Sequence, residues 1–270
     1  MDINSIDWNQ VWKEQRAKHV HKESGPQYWN KRAPSFANHA VKTGYSDAFI
    51  KIMKPKRSWT VLDMACGGGT LAIPLANKVK QITAVDFSDG MLDILTETAR
   101  KQKLKNIRTI NAAWDEDWSK KDIGVHDVAI ASRSLAMDDI VSGIQKLINS
   151  SRKRVYVSTV SGDGPHDRKV MEAVGRNFTP HVDYIYVYNL LFQMGIRANV
   201  EFITEQNTKI FDDHDMALNS FRWMLDSMTA HEEELLKNFL KEHLVRRKDK
   251  WVLDYEKKVQ WAVIWWEHNK

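Results

Sequence analysis

The stretch Val61-Leu62-Asp63-Met64-Ala65-Cys66-Gly67-Gly68-Gly69-Thr70, "VLDMACGGGT", decides how this chain is read. A short apolar run ends in an aspartate and then meets three glycines, the pattern of a strand that turns tightly into a helix. From Thr60 outward, β-branched runs alternate with longer amphipathic segments. "TVLDMA" predicts a strand and Thr70 to Lys78 a helix, with Pro74 near its first turn, where a missing N–H is tolerated. "QITAVDF" is a second strand. Ser88 is placed to cap the next helix, with Asp89 in its first turn and Met91, Leu92, Leu95 and Ala99 on one face. "NIRTIN" and "HDVAIAS" are strands three and four, Asp138 to Ile148 is a helix, and "KRVYVSTV" is strand five. Strands alternating with helices at this spacing imply right-handed βαβ units, hence an α/β, doubly wound, mostly parallel sheet with helices on both faces.

The rhythm changes after Ser161. "SGDGPHD" is a loop, Arg168 to Arg176 a short helix, and "DYIYVYNLLFQMG" a helix that stops at Gly195. "ANVEFITEQ" is a sixth strand, Asp212 to Lys248 is helical in character, and "VQWAVIWWEH" makes a buried seventh strand. The chain therefore divides into a helical cover over residues 1–50, set over the sheet edge, and a Rossmann-like core over 51–165. Lid or insertion elements with strand six follow over 166–250, and a final strand over 251–270.

Lys and Arg exceed Asp and Glu by five, but the charges are interspersed, so the balance alone gives no argument for nucleic acid. One cysteine, Cys66, excludes an internal disulfide framework, and no Cys/His cluster has zinc-ligand spacing. A reducing, cytoplasmic setting without a metal is expected. The N-terminal residues carry no apolar h-region and nowhere do 18 apolar residues run together, so neither secretion nor a membrane span is expected. Eleven tryptophans are more than packing usually requires; for each, burial competes with service as a ligand wall.

In an open α/β sheet the ligand lies at the carboxyl ends of the strands. Gly67-x-Gly69-x-x-Ala72 satisfies a relaxed dinucleotide pattern, and Asp86, 23 residues after Asp63, ends strand two where a carboxylate accepts ribose hydroxyls. That fits any adenosine ligand. Asp63 separates them: a carboxylate beneath the loop would repel a pyrophosphate by roughly 1–4 kcal/mol at effective dielectrics of 20–80. It suits a ligand that carries a cation.

These residues carry a family resemblance. "VLDMACGGGT" resembles the first motif of class I S-adenosylmethionine-dependent methyltransferases, with Asp63, Ala65, Gly67 and Gly69 at the matching positions. "ITAVDFSDGML" resembles the second motif and "HDVAIASRSL" the fourth, which ends with Ala131 and Ser132 beside the transferred methyl. The broad ubiquinone-biosynthesis-like, or type 11, group is the nearest description. The resemblance implies S-adenosylmethionine as cofactor. Asp63 with the backbone at Ala65, Cys66 and Gly67 would hold its methionine end, Asp86 its ribose and Phe87 would lie by the adenine, while Met91 would lie near the ribose or adenine or else belong to the core. The third motif departs from the pattern, since "NAAWDEDW" has Ala112 and Ala113 where relatives have Asp-Ala. The adenine amine then needs another acceptor, Asp115 or a backbone carbonyl, with Trp114 stacking on the ring. "YWNKRAPSF" resembles the stretch that closes over the cofactor, which makes Tyr28 and Arg32 candidates, Arg32 for the methionine carboxylate.

Methyl transfer is an in-line displacement, so positioning supplies most of the catalysis and a base is optional. Cys66 has no base beside it in the chain and reads as a small structural residue. Polar candidates on the acceptor side are Ser132, Arg133, His166, His181, Asp183, Tyr184, Tyr188 and Asn189, each also able to cap or face solvent. Arg133 suits an anionic substrate, although Asp138 or Asp139 also suits Arg133. The resulting expectation is a methyltransferase acting on a small molecule, as a monomer or homodimer. An NAD-dependent oxidoreductase is the alternative enzyme. A non-catalytic S-adenosylmethionine-binding or RNA-binding protein is the third reading, its support being "LVRRKDK" with Trp251 nearby.

Overall fold

The computed structural model describes residues 5–18, 25–40, 44–178, 180, 182–206, 209–225 and 227–268. Helices α1 (Trp8–Ala17), α2 (Pro26–Ala40) and α3 (Tyr45–Met53) come first. The alternating region follows as β1 (Thr60–Met64), α4 (Ala72–Ala76), β2 (Gln81–Asp86), α5 (Asp89–Lys101), β3 (Ile107–Asn111), β4 (His126–Ser132), α6 (Ile140–Asn149) and β5 (Ser151–Ser161). Next come α7 (Arg168–Ala173), α8 (Tyr184–Gln193), β6 (Asn199–Gln206), β7 (Ile210–Phe211), α9 (His214–Phe221) and α10 (Ala230–His243). The chain ends with β8 (Leu244–Arg247), β9 (Lys250–Leu253) and β10 (Lys258–Glu267).

Seven strands form one mixed, mostly parallel sheet in the order β3-β2-β1-β4-β5-β10-β6, the Rossmann-like topology expected. The last strand slots between β5 and β6 instead of adding to an edge. Register fixes which side chains share a face, because paired residues of parallel strands point the same way. Asp63 pairs with Ala84 and with Ile130, Asp86 with Asn111, and Ser132 with Ser158. Stepping two residues along a strand keeps the face, so Asp63, Asp86, Asn111, Ser132 and Ser158 lie on one side, near the carboxyl ends. The opposite face carries Leu62, Met64, Val85, Ala129, Ala131, Val155 and Val157 into a core closed by Trp12, Ile140, Ile144, Val187 and Leu191.

Helix α5 shows how local sequence seats these strands. Ser88 Oγ accepts the Met91 amide at 3.2 Å, Asp89 occupies the first turn, and Arg100 and Lys101 the last, each placed to suit the helix dipole. Met91, Leu92, Leu95 and Ala99 are its buried residues, as the spacing predicts. Full burial of Leu95 alone contributes about 2 kcal/mol of hydrophobic stabilisation. Of the N-terminal helices, α1 docks on α6 and α8 and α2 on α5, whereas α3 contacts α4 and also lies on the sheet, where Tyr45 meets Ser132 and Ser158 and Phe49 packs against Tyr156. The tryptophans divide as packing dictates: Trp12, Trp59, Trp118, Trp261 and Trp266 are all buried.

The chain forms two compact units, residues 1–160, 182–203 and 261–270 in the first, 161–181 and 204–260 in the second. The first holds the α/β core. The second has its own core of Val170, Phe211, Phe221, Leu236 and Leu240, built from α7, α9, α10 and a three-stranded antiparallel sheet in the order β7-β9-β8. The sheet was not expected. The helix predicted to reach Lys248 ends at His243, and Leu244 to Arg247 pair with β9 across Lys248, whose φ is 55°. Leu244 and Val252 are buried by this pairing, whereas a helix continued through Val245 and the run of basic residues would have an almost wholly polar surface. Trp251 accordingly belongs to β9, and the strand of the main sheet starts at Lys258. Among the described residues no helix is long and apolar enough to cross a membrane, and no three His, Cys, Asp or Glu are grouped so as to hold a metal ion.

Candidate active site

The loop after β1 folds back on β2. The Cys66 amide donates to the Val85 carbonyl at 3.0 Å, and the Gly67 amide donates to Asp86 Oδ2 at 2.8 Å. Asp86 Oδ1 accepts from the Ser88 amide at 2.9 Å, so this carboxylate is bracketed by backbone N–H groups of two loops. Two glycines are needed for different reasons. Gly67 has φ of 53° with open space where a Cβ would stand, a place for close approach of a ligand. Gly69 has φ of 91°, and a Cβ there would meet Leu95 Cδ1 at 2.4 Å, so its role is packing of loop on helix. Ala65 also has positive φ, 53°, a conformation an alanine adopts only when its surroundings enforce it.

Asp63 is 2% exposed, and its Oδ2 has no hydrogen-bond partner among the described residues. Burial first, then the charge of Asp86, push its carboxyl up to about 7, against the pull of the Ala72 backbone. Asp86 is raised too, by burial, with the amides of Ser88, Gly67 and Phe87 opposing. Two desolvated acids held side by side, one with an orphaned oxygen, are what a cationic ligand relieves. The ammonium and sulfonium of S-adenosylmethionine fit that need, and a pyrophosphate does not. Cys66 is buried, its thiol pushed well above the usual range by burial and by both acids, which leaves no thiolate for nucleophilic chemistry.

The predicted residues of the N-terminal segment sit on α2. Arg32 Nη1 donates to Tyr28 Oη at 2.8 Å, and its guanidinium lies 5.0 Å from that ring. Between them Asn30, which sequence reasoning missed, accepts from Ser88 Oγ at 2.7 Å and from the Gly90 amide at 3.0 Å. Any Cβ on Gly90 would lie 3.2 Å from Asn30 Cα, so the glycine permits the contact; a Ser-Asp-Gly cap facing a helix with an asparagine was the available signal. This places α2 over the start of α5, beside the Asp86 loop.

Phe87 is half-buried, but Met91 is 2% exposed and belongs to the core under α5. Ala131 points its methyl into the core on the opposite face, so what it offers a ligand is backbone. Asp115 is exposed, while the neighbouring Glu116 accepts the Ala113 amide at 2.7 Å. Trp114 is fixed by its indole N–H, which donates to the Ser134 carbonyl at 3.1 Å, and by Trp118, 5.6 Å away between ring centres.

At the ends of β4 and β5 a hydroxyl cluster forms. Tyr45 Oη lies 2.8 Å from Ser132 Oγ and 2.6 Å from Ser158 Oγ, and the two serines are 3.2 Å apart. The Arg133 amide donates to Ser158 Oγ at 3.0 Å, its φ is 56°, and its guanidinium sits 4.1 Å from the Tyr45 ring centre and 5.3 Å from that of Trp261. Of the predicted acceptor-side residues, this brings Ser132 and Arg133 together, and adds Tyr45 and Ser158, which sequence reasoning missed because the contacts span 113 and 26 positions. Asp138 pairs with Arg16 and Asp139 caps α6. The other candidates of the first unit do not join the cluster. Tyr188 donates to the Ala198 carbonyl at 3.4 Å, Tyr184 packs edge-on against Phe202, Asp183 caps α8, and His166 belongs to the second unit. Asn189 is half-buried on α8, and His181 lies outside the described residues.

Residues 61–152 match the family model described as a methyltransferase domain. The whole chain is 32% identical over 273 residues to an uncharacterized protein of Haemophilus influenzae, covering all of both. It is 28% identical over 145 residues to a 23S rRNA (uracil(1939)-C(5))-methyltransferase of Pseudomonas putida, covering 51% of this chain and 31% of that one. To a ubiquinone biosynthesis O-methyltransferase of Coxiella burnetii it is 26% identical over 172 residues, covering 61% of this chain and 65% of the relative. In fold it is similar to a candidate methyltransferase of Bacillus halodurans, with a TM-score of 0.57 at 12% identity over 83% of this chain and 99% of that one. Motifs, register and matched residues agree, and residues 61–152 form a class I S-adenosylmethionine-dependent methyltransferase domain.

Proposed function

We propose that this methyltransferase acts on a small, anionic acceptor, with the methyl group passing by in-line displacement at the carboxyl ends of β1, β2, β4 and β5. The observation that carries the reading is the buried, unpartnered Oδ2 of Asp63 beside Asp86, on the sheet face that also carries Ser132 and Ser158. S-adenosylmethionine, when bound, supplies an electrophilic methyl carbon on a sulfonium. Asp63 and the backbone at Ala65 and Gly67 hold the cationic end, Asp86 accepts the ribose hydroxyls, and Phe87 borders the adenine. Tyr28, Asn30 and Arg32 on α2 close the site, with Arg32 directed to a carboxylate.

On the acceptor side Arg133 supplies a guanidinium held in place over two aromatic rings. The left-handed backbone at Arg133 is strain held at a strand end, a usual mark of a side chain aimed for function. Orientation of the acceptor by Arg133 and by the Tyr45-Ser132-Ser158 hydroxyls supplies the rate, without an assigned base.

The similarity to an rRNA methyltransferase supports an RNA acceptor as a second reading. Transfer of a labelled methyl group, measured against a panel of small carboxylates and phenols and against ribosomal RNA, separates the two. The proposal requires label in a small acid and its loss in Arg133→Met; label in RNA alone overturns it. Calorimetry completes the test, with S-adenosylhomocysteine binding expected well below 1 mM and weakened at least about tenfold by Asp86→Asn.

A further inference from the structure

The first unit holds a cavity of about 220 Å³ that cofactor binding does not use. Ile148 from the last turn of α6, Ile196 and Arg197 from the loop between α8 and β6, and Trp266 and His268 at the end of β10 line it. The His268 amide donates to the Lys153 carbonyl at 2.9 Å, and Ser161 bonds Gln260 at 3.0 Å, so β10 runs antiparallel to β5 and ends beside its start. From Ser151 at that start to Ser158 in the hydroxyl cluster is about 23 Å, at roughly 3.3 Å per residue. The cavity therefore lies at the end of the sheet away from Asp63, Asp86 and Ser158.

Its apolar wall is Trp266, 4% exposed, with Ile148 and Ile196, all part of the core under α6 and α8. Glu267, between Trp266 and His268, alternates to the other face of the strand and gives Oε1 to Arg154 at 2.5 Å. His268 turns towards α6: its Nε2 lies 2.7 Å from Ser151 Oγ, which donates to the carbonyls of Leu147 at 2.9 Å and Ile148 at 3.3 Å. That hydroxyl has one proton, so with the proton on a carbonyl it accepts from Nε2–H. Burial lowers the His268 pKa and keeps the ring neutral, which leaves Nδ1 an acceptor that no described residue fills. Arg197 supplies the charge. Its guanidinium sits 4.2 Å from the Phe192 ring centre and donates through Nη1 to the Phe192 carbonyl at 3.3 Å, with no carboxylate within ion-pair distance among the described residues. An apolar cavity of roughly 150 Å³ holds a benzene ring, so the space here admits an aromatic ring with a small substituent.

We infer that this cavity is a second small-molecule site, separate from the methyl-transfer site, which takes an aromatic carboxylate. The ring lies against Trp266, Ile148 and Ile196, the carboxylate meets Arg197, and His268 Nδ1 accepts a ring N–H where the ligand carries one. A sugar phosphate fits poorly, because its hydroxyls would lose water against three apolar side chains. A metal ion finds no group of three acids, histidines or cysteines among the described residues.

The test is ligand-observed NMR titration of the full-length protein with indole-3-carboxylate, benzoate and benzamide, each with and without S-adenosylhomocysteine. Indole-3-carboxylate should bind at or below about 1 mM in both conditions, and benzamide, which lacks the charge, at least about tenfold more weakly than benzoate. Arg197→Met should weaken both acids at least about tenfold and leave benzamide unchanged. His268→Phe should weaken indole-3-carboxylate but not benzoate, a split that a general loss of stability does not produce. Arg197 is exposed, so its variant should keep the native melting temperature. Ile196→Trp, which fills the cavity, should abolish binding of all three probes. Failure of both acids to bind at up to about 10 mM overturns the inference. So does native affinity in Arg197→Met, or binding that S-adenosylhomocysteine displaces or Arg133→Met removes, since either of these moves the acid to the methyl-transfer end.

Discussion

The amide of Gly67 donates to Oδ2 of Asp86 at 2.8 Å, which ties the glycine loop after β1 to the acid that ends β2. One carboxylate therefore shapes the loop and, in the function proposed, also takes the ribose, so substitutions at Asp86 must be read for both effects. Asp86→Ala leaves the Gly67 and Ser88 amides without an acceptor in a buried place, at a cost of about 1–3 kcal/mol for each. Asp86→Asn keeps one oxygen. We expect Asp86→Asn to fold with a small loss of stability yet bind S-adenosylhomocysteine at least about tenfold more weakly, and Asp86→Ala to lose both. Equal affinity in native protein and Asp86→Asn, by calorimetry, would contradict the assigned role.

Asp63 gives the ligand-free protein a pH signature. Its carboxyl titrates near 3.8 when unfolded and is pushed up to about 7 when folded. Between those values the folded state holds a proton that the unfolded state has released, so stability falls as pH rises from about 4 to 7 and levels above it. The raised carboxyl of Asp86 acts in the same direction. Urea unfolding should show Asp63→Asn more stable than native protein at pH 8 by roughly 1–4 kcal/mol and little different at pH 4. Binding of the cationic donor runs the other way, tightening as pH rises to about 7 with release of a proton, and two buffers of unlike ionisation heat would measure that proton.

The two loop glycines should fail differently. Gly69→Ala puts a Cβ 2.4 Å from Leu95 Cδ1 and 3.0 Å from Ile73 Cγ1 at φ of 91°, and should cost about 2–4 kcal/mol in the unfolding midpoint. Gly67→Ala meets no atom within 4 Å, so only the positive φ is penalised, about 1–2 kcal/mol. Its larger effect should fall on cofactor affinity. A reversed order in stability would refute this division between packing and ligand approach.

Tyr45→Phe removes the hydroxyl shared by Ser132 and Ser158 and leaves the serines to bond each other at 3.2 Å. Stability should drop by about 1–2 kcal/mol. Turnover should drop further than cofactor binding, because the loss is at the β4 and β5 ends and away from the glycine loop. Parallel losses in S-adenosylhomocysteine affinity and in rate would place Tyr45 in the cofactor site instead.

Local chemistry made much of this legible. Ser88 caps α5, and Met91, Leu92, Leu95 and Ala99 bury one face because a helix of that spacing offers only one apolar stripe. Asp63 and Asp86 were readable as acids at strand ends beside the glycine loop, because their places depend on a few residues of chain. The misses lie elsewhere. The helix expected to reach Lys248 breaks at His243, where pairing of Leu244 to Arg247 with β9 outweighs helix propensity.

The sequence by itself determined the order of strands and helices from β1 to β5, the glycine loop and its two acids, since each depends on neighbours a few positions apart. Only the tertiary structure decided that β10 enters between β5 and β6, that Asn30 reaches Ser88 and Gly90, and that Tyr45 joins Ser132 to Ser158. These contacts join residues many tens of positions apart, and register and burial, which belong to the whole fold, choose among the partners that composition leaves open.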